Sequence, residues 1–409
     1  MSFKSYPALL AFVVATLPLA SQAQKVMPVL VSTKYTLTMG NMSFQATAKN
    51  SGRIQSVKHS GTEVLHQDTG SATSYGSTFW PSPQAVWNWP PPAAIDANAF
   101  TASIDPDSTI SFYNSGAVDA TTKIRVHKTY WANIADSSFN MRYTMINTGT
   151  ARPWAPWEDT RIDTGGIYLF PKGTDAITGA IGTYTSVDTG GIVWYQHNNN
   201  NLPGSGTNKF YADGSKGWYA HVYANRLLLI KKFKDAPASK KAPSPEDEIE
   251  FYSTNKPLNA TSFIEMEAQG AYDTIKTNDS VSWDMKWLVR KLPDNVSVTL
   301  NNPQIVSYIN QVLAGSTTAL TQQSKAAGFE MKYSTREVTL DLREASSLSL
   351  SVVNIQGREI ARLHSGKLSA GSHIFPLNQS GFPNGVNWLV IQDSKHRIVS
   401  QQMLVRLKN

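Results

Sequence analysis

Hydrophobic and polar residues alternate with a period of two through most of the chain, in short runs broken by Gly, Asn, Asp and Pro. Tyr35-Thr36-Leu37-Thr38-Met39, Ser111-Phe112-Tyr113, Met141-Arg142-Tyr143-Thr144-Met145-Ile146 and Val281-Ser282-Trp283-Asp284-Met285-Lys286-Trp287 are examples. That period sends successive side chains to opposite faces, and β-branched and aromatic residues suit a pleated surface, so these runs predict strands. No long amphipathic helix interrupts them up to about residue 300, a stretch far longer than the roughly 100 residues of an immunoglobulin-sized sandwich. An all-β fold built on one large antiparallel sandwich is predicted.

The pattern changes at Pro303. Pro303-Gln304-Ile305-Val306-Ser307-Tyr308-Ile309-Asn310-Gln311-Val312-Leu313 fits one short helix, and the small, polar residues from Ala314 to Gly328 read as a linker. Strands return in Glu337-Val338-Thr339-Leu340-Asp341-Leu342, Leu348-Ser349-Leu350-Ser351-Val352-Val353 and Trp388-Leu389-Val390-Ile391. Turn signals at Gln356-Gly357, Ala370-Gly371 and Asn384-Gly385 space them as a small C-terminal sandwich. The expected division is a large sandwich over 24–302, a linker over 303–328 and a small sandwich over 329–409.

The N-terminus has a different character. Lys4 precedes an apolar run from Ala8 to Ala20, and Ser21-Gln22-Ala23 has small residues where a signal peptidase reads. Residues 1–23 are expected to be a secretory signal peptide, with the mature chain starting at Gln24. The run falls short of the 18–20 residues of a membrane span, and nothing later is long and apolar enough, so no span is expected after cleavage. The 37 Lys+Arg against 30 Asp+Glu give a net charge of +7, but charged residues are only 16% of the chain. The one dense basic run, Lys231-Lys232-Phe233-Lys234 with Lys240-Lys241, is followed by Glu246-Asp247-Glu248, so no nucleic-acid partner is expected. The absence of cysteine excludes disulfides, thiol nucleophiles and thiolate metal sites, and no metal or other cofactor is expected.

Three blocks carry the candidate chemistry. Gly76-Ser77-Thr78-Phe79-Trp80-Pro81-Ser82-Pro83-Gln84-Ala85-Val86-Trp87-Asn88-Trp89-Pro90-Pro91-Pro92 is too rich in proline for a central strand and reads as a rigid loop. Its Trp80, Trp87 and Trp89 suit the C–H faces of sugar rings, with Gln84 and Asn88 placed to bond hydroxyls; capping the sandwich core is the other use for such indoles. Arg152-Pro153-Trp154-Ala155-Pro156-Trp157-Glu158-Asp159-Thr160-Arg161 sets Glu158 and Arg161 beside Trp157, either as a polar pair at the rim of an aromatic floor or as a surface ion pair. In Phe263-Ile264-Glu265-Met266-Glu267, a strand would turn Glu265 and Glu267 to one face, which needs water, a cation or a substrate to meet them.

Together these blocks resemble a bacterial family of the galactose mutarotase-like superfamily. The resemblance is carried by Gly52-Arg53-Ile54, the Gly76–Pro92 block, Trp154-Ala155-Pro156-Trp157-Glu158, Gly165-Gly166, Phe170-Pro171, Gly217-Trp218, Glu265-Met266-Glu267 and Gly270-Ala271-Tyr272. It implies a supersandwich fold and a glutamate that takes the proton of an anomeric hydroxyl while a second group protonates the ring oxygen. Glu267 matches the glutamate. Where mutarotases carry an Asn-His-x-Tyr-Phe histidine, this chain has Trp157-Glu158-Asp159, and His59, His66, His127, His197 and His221 all lie outside the three blocks. Either Glu158 is the acid, or the fold binds sugar without isomerising it.

The tail is similar to the C-terminal sorting domains of type IX secretion substrates, through Val353-Asn354-Ile355-Gln356-Gly357-Arg358-Glu359-Ile360, Leu368-Ser369-Ala370-Gly371-Ser372-His373 and Gly385-Val386. The resemblance implies export through the periplasm to the medium or cell surface, with this domain engaging the export machinery. The expected function is that of a secreted carbohydrate-binding protein with aldose 1-epimerase-type chemistry. Glu267 and Glu158 would be catalytic, and Trp80, Gln84, Trp87, Trp89, Trp157, Arg161 and Glu265 would bind substrate. A non-catalytic glycan-binding or surface structural protein and a polysaccharide lyase-like enzyme are the alternatives.

Overall fold

The computed structural model describes residues 26–68, 70–71, 73–182, 187–314, 329–333, 337–354, 358–377, 385–394 and 398–406. The expected signal peptide and residues 315–328 of the expected linker lie outside them. The chain divides into two compact units, Met1–Ala314 and Gly315–Asn409. Among the described residues no helix is long and apolar enough to cross a membrane.

The first unit is two antiparallel sheets packed face to face. The strands used below are Arg53–His59 (β1), Ser77–Ser82 (β2), Arg152–Asp163 (β3), Ile167–Pro171 (β4), Lys209–Ala212 (β5), Trp218–Val222 (β6), Leu227–Phe233 (β7), Ile249–Ser253 (β8) and Phe263–Gln269 (β9). The larger, 12-stranded sheet runs β1-β2-β3-β9-β8-β5 through its middle. The second, of ten strands, carries β4-β6-β7 followed by Ser280–Lys291, Ser138–Asn147 and Ile124–Asn133. The alternation read from the sequence sorts the side chains. Phe79, Ile162, Ile264, Met266, Phe251 and Phe210 of the larger sheet meet Tyr168, Tyr219, Leu229, Phe233, Met285 and Trp287 of the second in one buried core.

Two expectations are corrected here. Ser77–Ser82 of the proline-rich block is a central strand, not a loop; only Pro83 onward leaves the sheet. Pro81 stands directly opposite Pro156 on β3. Antiparallel partners alternate between bonded and non-bonded pairs, so two prolines facing each other at a non-bonded pair remove no ladder hydrogen bond. On its other side β2 meets β1 only through Ser77, so no second ladder needs the missing donor. The second correction concerns 303–314 of the expected linker. Pro303–Leu313 is a helix capped by Asn302, whose side chain accepts from Gln304 N. Its Ile305, Tyr308 and Ile309 are buried with Leu228, Ile230 and Leu288 on the outer face of the second sheet. That stretch belongs to the sandwich and not to a linker.

The second unit, considered by itself, has a three-stranded sheet (Phe329–Tyr333, Glu337–Leu342, Gly371–Pro376) and a four-stranded one ordered Glu359–Leu368, Ser346–Asn354, Gly385–Asp393, Ile398–Arg406. Val338, Leu340, Leu348, Leu350, Val352, Leu389 and Ile391 form its core. Ile355, Gln356 and Gly357 of the sorting-type motif lie outside the described residues.

Candidate functional site

The face of the larger sheet that turns away from the core carries the unusual chemistry. Register lays it out in three rungs across the strands. Trp80, Trp157 and Gln269 are neighbours in the first; Thr78, Asp159, Glu267, Glu250 and Tyr211 in the second; Arg161, Glu265, Tyr252 and Lys209 in the third. Directly opposed residues of an antiparallel pair have Cα atoms about 4.5–5.5 Å apart, so the acids of the second rung sit side by side.

The aromatic rung is extended by the loop after β2. Trp80 packs edge-on against Trp157 at 5.2 Å between ring centroids and against Trp89 at 5.9 Å, and Trp87 lies 6.2 Å from Trp80 and 6.3 Å from Trp157. Exposure rises outward: Trp80 is 2% exposed, Trp87 half-buried and Trp89 62% exposed. Trp80 is held from behind, since Asp96 Oδ1 accepts from Trp80 Nε1 (3.0 Å), Thr78 Oγ1 (2.6 Å) and an Arg53 guanidinium nitrogen (2.8 Å). The loop is held by Glu246, which accepts from Ser82 Oγ (2.5 Å), Gln84 N (2.6 Å) and Gln269 Nε2 (2.9 Å). Gln84 thus anchors the loop through its backbone.

The charged rungs contain four carboxylates and two cations. One Arg161 nitrogen lies 2.8 Å from both Asp159 and Glu265, and Lys209 Nζ lies 2.7 Å from Glu250 and 2.9 Å from Glu267. Glu267 Oε2 also accepts from Trp157 Nε1 at 2.9 Å. Two cations cannot neutralise four carboxylates in a closed face. Burial therefore pushes Asp159 well above the usual carboxylate range despite Arg161, with Glu265 and Glu267 adding to the rise. Burial pushes Glu250 up to about 8 in spite of Lys209, and raises Glu265 in spite of Arg161. Burial works against the Lys209 ammonium as well, but Glu250 and Glu267 hold it well above its ordinary value. Among the described residues, Arg161 Nε and Nη1, Asp159 Oδ1, Glu267 Oε1 and Gln269 Oε1 are buried with no hydrogen-bond partner. Glu265 and Lys209 are 12% and 13% exposed, so the face opens at its third rung.

Glu158 is a correction. It points to the opposite face of β3 from Trp157 and Asp159, into the space between the sheets. There Lys231 Nζ donates to its two oxygens at 2.9 and 2.8 Å, Ser77 Oγ at 2.6 Å, and Thr160 and Tyr219 hydroxyls complete the shell. Neither Glu158 nor Lys231 is exposed, and Glu158 forms neither of the pairs with Arg161 considered from the sequence. A residue one position from Trp157 in a strand faces the other way, so Glu158 cannot share a substrate with Glu267. Of the histidines, burial lowers His221, between the sheets, to about 3 and lowers His197 to about 4, whereas His66 lies beside the site face, its Nδ1 2.9 Å from Asp163 and its ring 5.5 Å from Phe263.

The structure therefore gathers Trp80, Trp87, Trp89, Trp157, Arg161, Glu265 and Glu267 on one face, with Gln84 in the covering loop. It adds Asp159, Lys209, Glu250 and Gln269, which sequence reasoning missed. Asp159 had a signal, because it lies two residues from both Trp157 and Arg161. Glu250 had a weaker one in the alternation of Ile249-Glu250-Phe251, masked by the acidic run before it.

No family model and no curated protein matches the chain. Among solved structures it is similar to a galactose mutarotase-like protein from Lactobacillus casei ATCC 334, at 11% identity over 63% of this chain and 100% of that one, with a TM-score of 0.46. It is also similar to a galactose mutarotase-like protein from Clostridium acetobutylicum, at 9% identity over 65% and 98% of the two chains, with a TM-score of 0.43. A polysaccharide lyase is similar at 10% identity over 91% of this chain and 48% of that one, with a TM-score of 0.31. These are likenesses of chain path, and they assign no role to any residue of this chain.

Proposed function

We propose that the protein is an exported carbohydrate-binding protein whose site catalyses proton transfer on aldoses of the aldose 1-epimerase type. One observation carries the reading. A cluster of indoles packed edge to face, open to solvent at Trp89, adjoins buried carboxylate, amide and guanidinium groups that have unused hydrogen-bonding atoms. Sugars present an apolar C–H face and a rim of hydroxyls that both donate and accept, and this juxtaposition meets both. Glu267 is the proposed base. Its Oε2 is fixed by Trp157 and Lys209, which leaves Oε1 to take the proton of an anomeric hydroxyl.

Binding without turnover is favoured by a different observation: neither Glu267 nor Asp159 has exposed surface. The deciding experiment is anomer exchange on wild type and Glu267→Gln over common hexoses and pentoses. Turnover lowered by about 10²–10⁴ with binding retained supports the base. If no sugar is exchanged faster than in buffer, only binding stands. The export half of the proposal rests on the N-terminal apolar run and on the tail's similarity to sorting domains.

A further inference from the structure

We infer that Asp159 is the proton donor of this site, working as a pair with Glu267. The inference rests on the proposed reading that the site opens and recloses aldose rings. Asp159 and Glu267 are directly opposed on β3 and β9, in the rung next to Trp80 and Trp157. Their surroundings differ. Glu267 receives Trp157 Nε1 and Lys209 Nζ, two donors on one oxygen. Asp159 has only Oδ2 beside one Arg161 nitrogen, which Glu265 shares, and no hydrogen bond reaches Oδ1 from the described residues. A carboxyl with a weak claim on one cation, walled in by other carboxylates, is the one that keeps its proton.

The neighbours make that choice specific. Along its rung Asp159 faces Glu267, with Glu250 beyond; along its own strand it faces Arg161, which holds Glu265. On the β2 side stand Thr78 and the neutral Arg53–Asp96 pair, and Glu158 with Lys231 lies on the other side of the sheet. Glu250 is a poorer donor, because Gln269 Nε2 (2.7 Å) and Lys209 already occupy its oxygens. Glu265 stands at the opening, where water competes. The direction of the Asp159 titration given above agrees with the geometry.

The step balances. Glu267 Oε1 takes the proton of the anomeric hydroxyl as Asp159 gives its proton to the ring oxygen. The bond between the anomeric carbon and the ring oxygen breaks, and an open-chain aldehyde forms. Reclosure on either face returns one proton from Glu267 to the new hydroxyl and one from the former ring oxygen to Asp159.

The test uses the full chain. Asp159→Asn should lower kcat for anomer exchange by about 10²–10⁴ with KM little changed, and should abolish the alkaline limb of the pH profile. Glu267→Gln should instead abolish the acidic limb, and Asp159→Glu should recover part of the rate. A rise in KM with kcat and both limbs intact would show that Asp159 only positions Arg161, and would overturn the inference. A readout without turnover protects against misfolded variants. Carbon-13 titration of side-chain-labelled aspartates in the wild type should find one buried carboxyl still protonated at neutral pH and missing from Asp159→Asn. If every aspartate is ionised there while exchange proceeds, the donor role fails alone. If wild type exchanges no aldose, the base and donor roles fail together, with binding unaffected.

Discussion

Lys231→Met removes one half of the ion pair sealed between the sheets and leaves Glu158 behind. Lys231 Nζ supplies two bonds to the carboxylate, at 2.9 and 2.8 Å, and a third to Thr160 Oγ1, with neither charged group exposed. Ser77, Thr160 and Tyr219 hydroxyls remain after the substitution, but they are neutral and cannot replace the ammonium. Methionine is of similar length, so lost volume is a minor part of the effect, while the ammonium 4.4 Å over the Trp287 ring is lost with the charge. Stranding a buried charge in this way costs about 3–5 kcal/mol. Glu158→Met combined with Lys231→Met removes both charges, and Thr160 Oγ1 can still donate to Ser77 Oγ at 2.7 Å. The double variant should therefore lie near wild type or be more stable by about 1–4 kcal/mol. Guanidinium unfolding of the full chain followed by tryptophan fluorescence reads this out, because ten of the eleven tryptophans belong to the first unit. A single variant within about 1 kcal/mol of wild type, or a double variant as unstable as the single, would refute the reasoning that the pair is dry and mutually dependent.

Glu250, held near 8 when folded against 4.5 ordinarily, keeps a proton between those values that the unfolded chain has lost. Its contribution to stability should fall as pH rises from 4.5 to 8, by up to about 1.4 kcal/mol per pH unit, with Asp159 and Glu265 acting in the same sense. Glu250→Gln should flatten the profile in denaturant titrations, and a wild-type stability that rises across that window would contradict the assignment. Trp80→Ala should cost about 3–5 kcal/mol of stability in thermal or denaturant unfolding. Trp89→Ala should change stability by less than about 0.5 kcal/mol but weaken glycan binding by about 0.5–1.5 kcal/mol in calorimetry. Deleting 329–409 should leave a folded first unit retained in the periplasm, as fractionation would show; normal delivery of that truncation would remove the sorting role.

Sidedness within each strand was legible from the sequence. A period of two placed Glu265 with Glu267 on one face of a strand. The change of pattern at Pro303 marks a helix that packs on the first sandwich, and the first compact unit ends at Ala314. What alternation does not contain is which side of a strand meets the other sheet. In β3 every residue from Trp154 to Ile162 is buried, by the second sheet on one face and by covering loops and side chains on the other, so hydrophobic contrast no longer marks the core side. That is why Glu158 reads as a site residue although it faces inward, and why Asp159 was passed over. The same limit applies to Lys231, which sits in a basic run yet shares the inward face of β7 with Leu229 and Phe233. Ion-pair partners were beyond reach for a further reason: Lys231 meets Glu158 across 73 positions and Lys209 meets Glu267 across 58. Such pairs form because strand order brings distant segments side by side, and only after that do burial and charge decide which carboxylate holds a proton and which remains an acceptor.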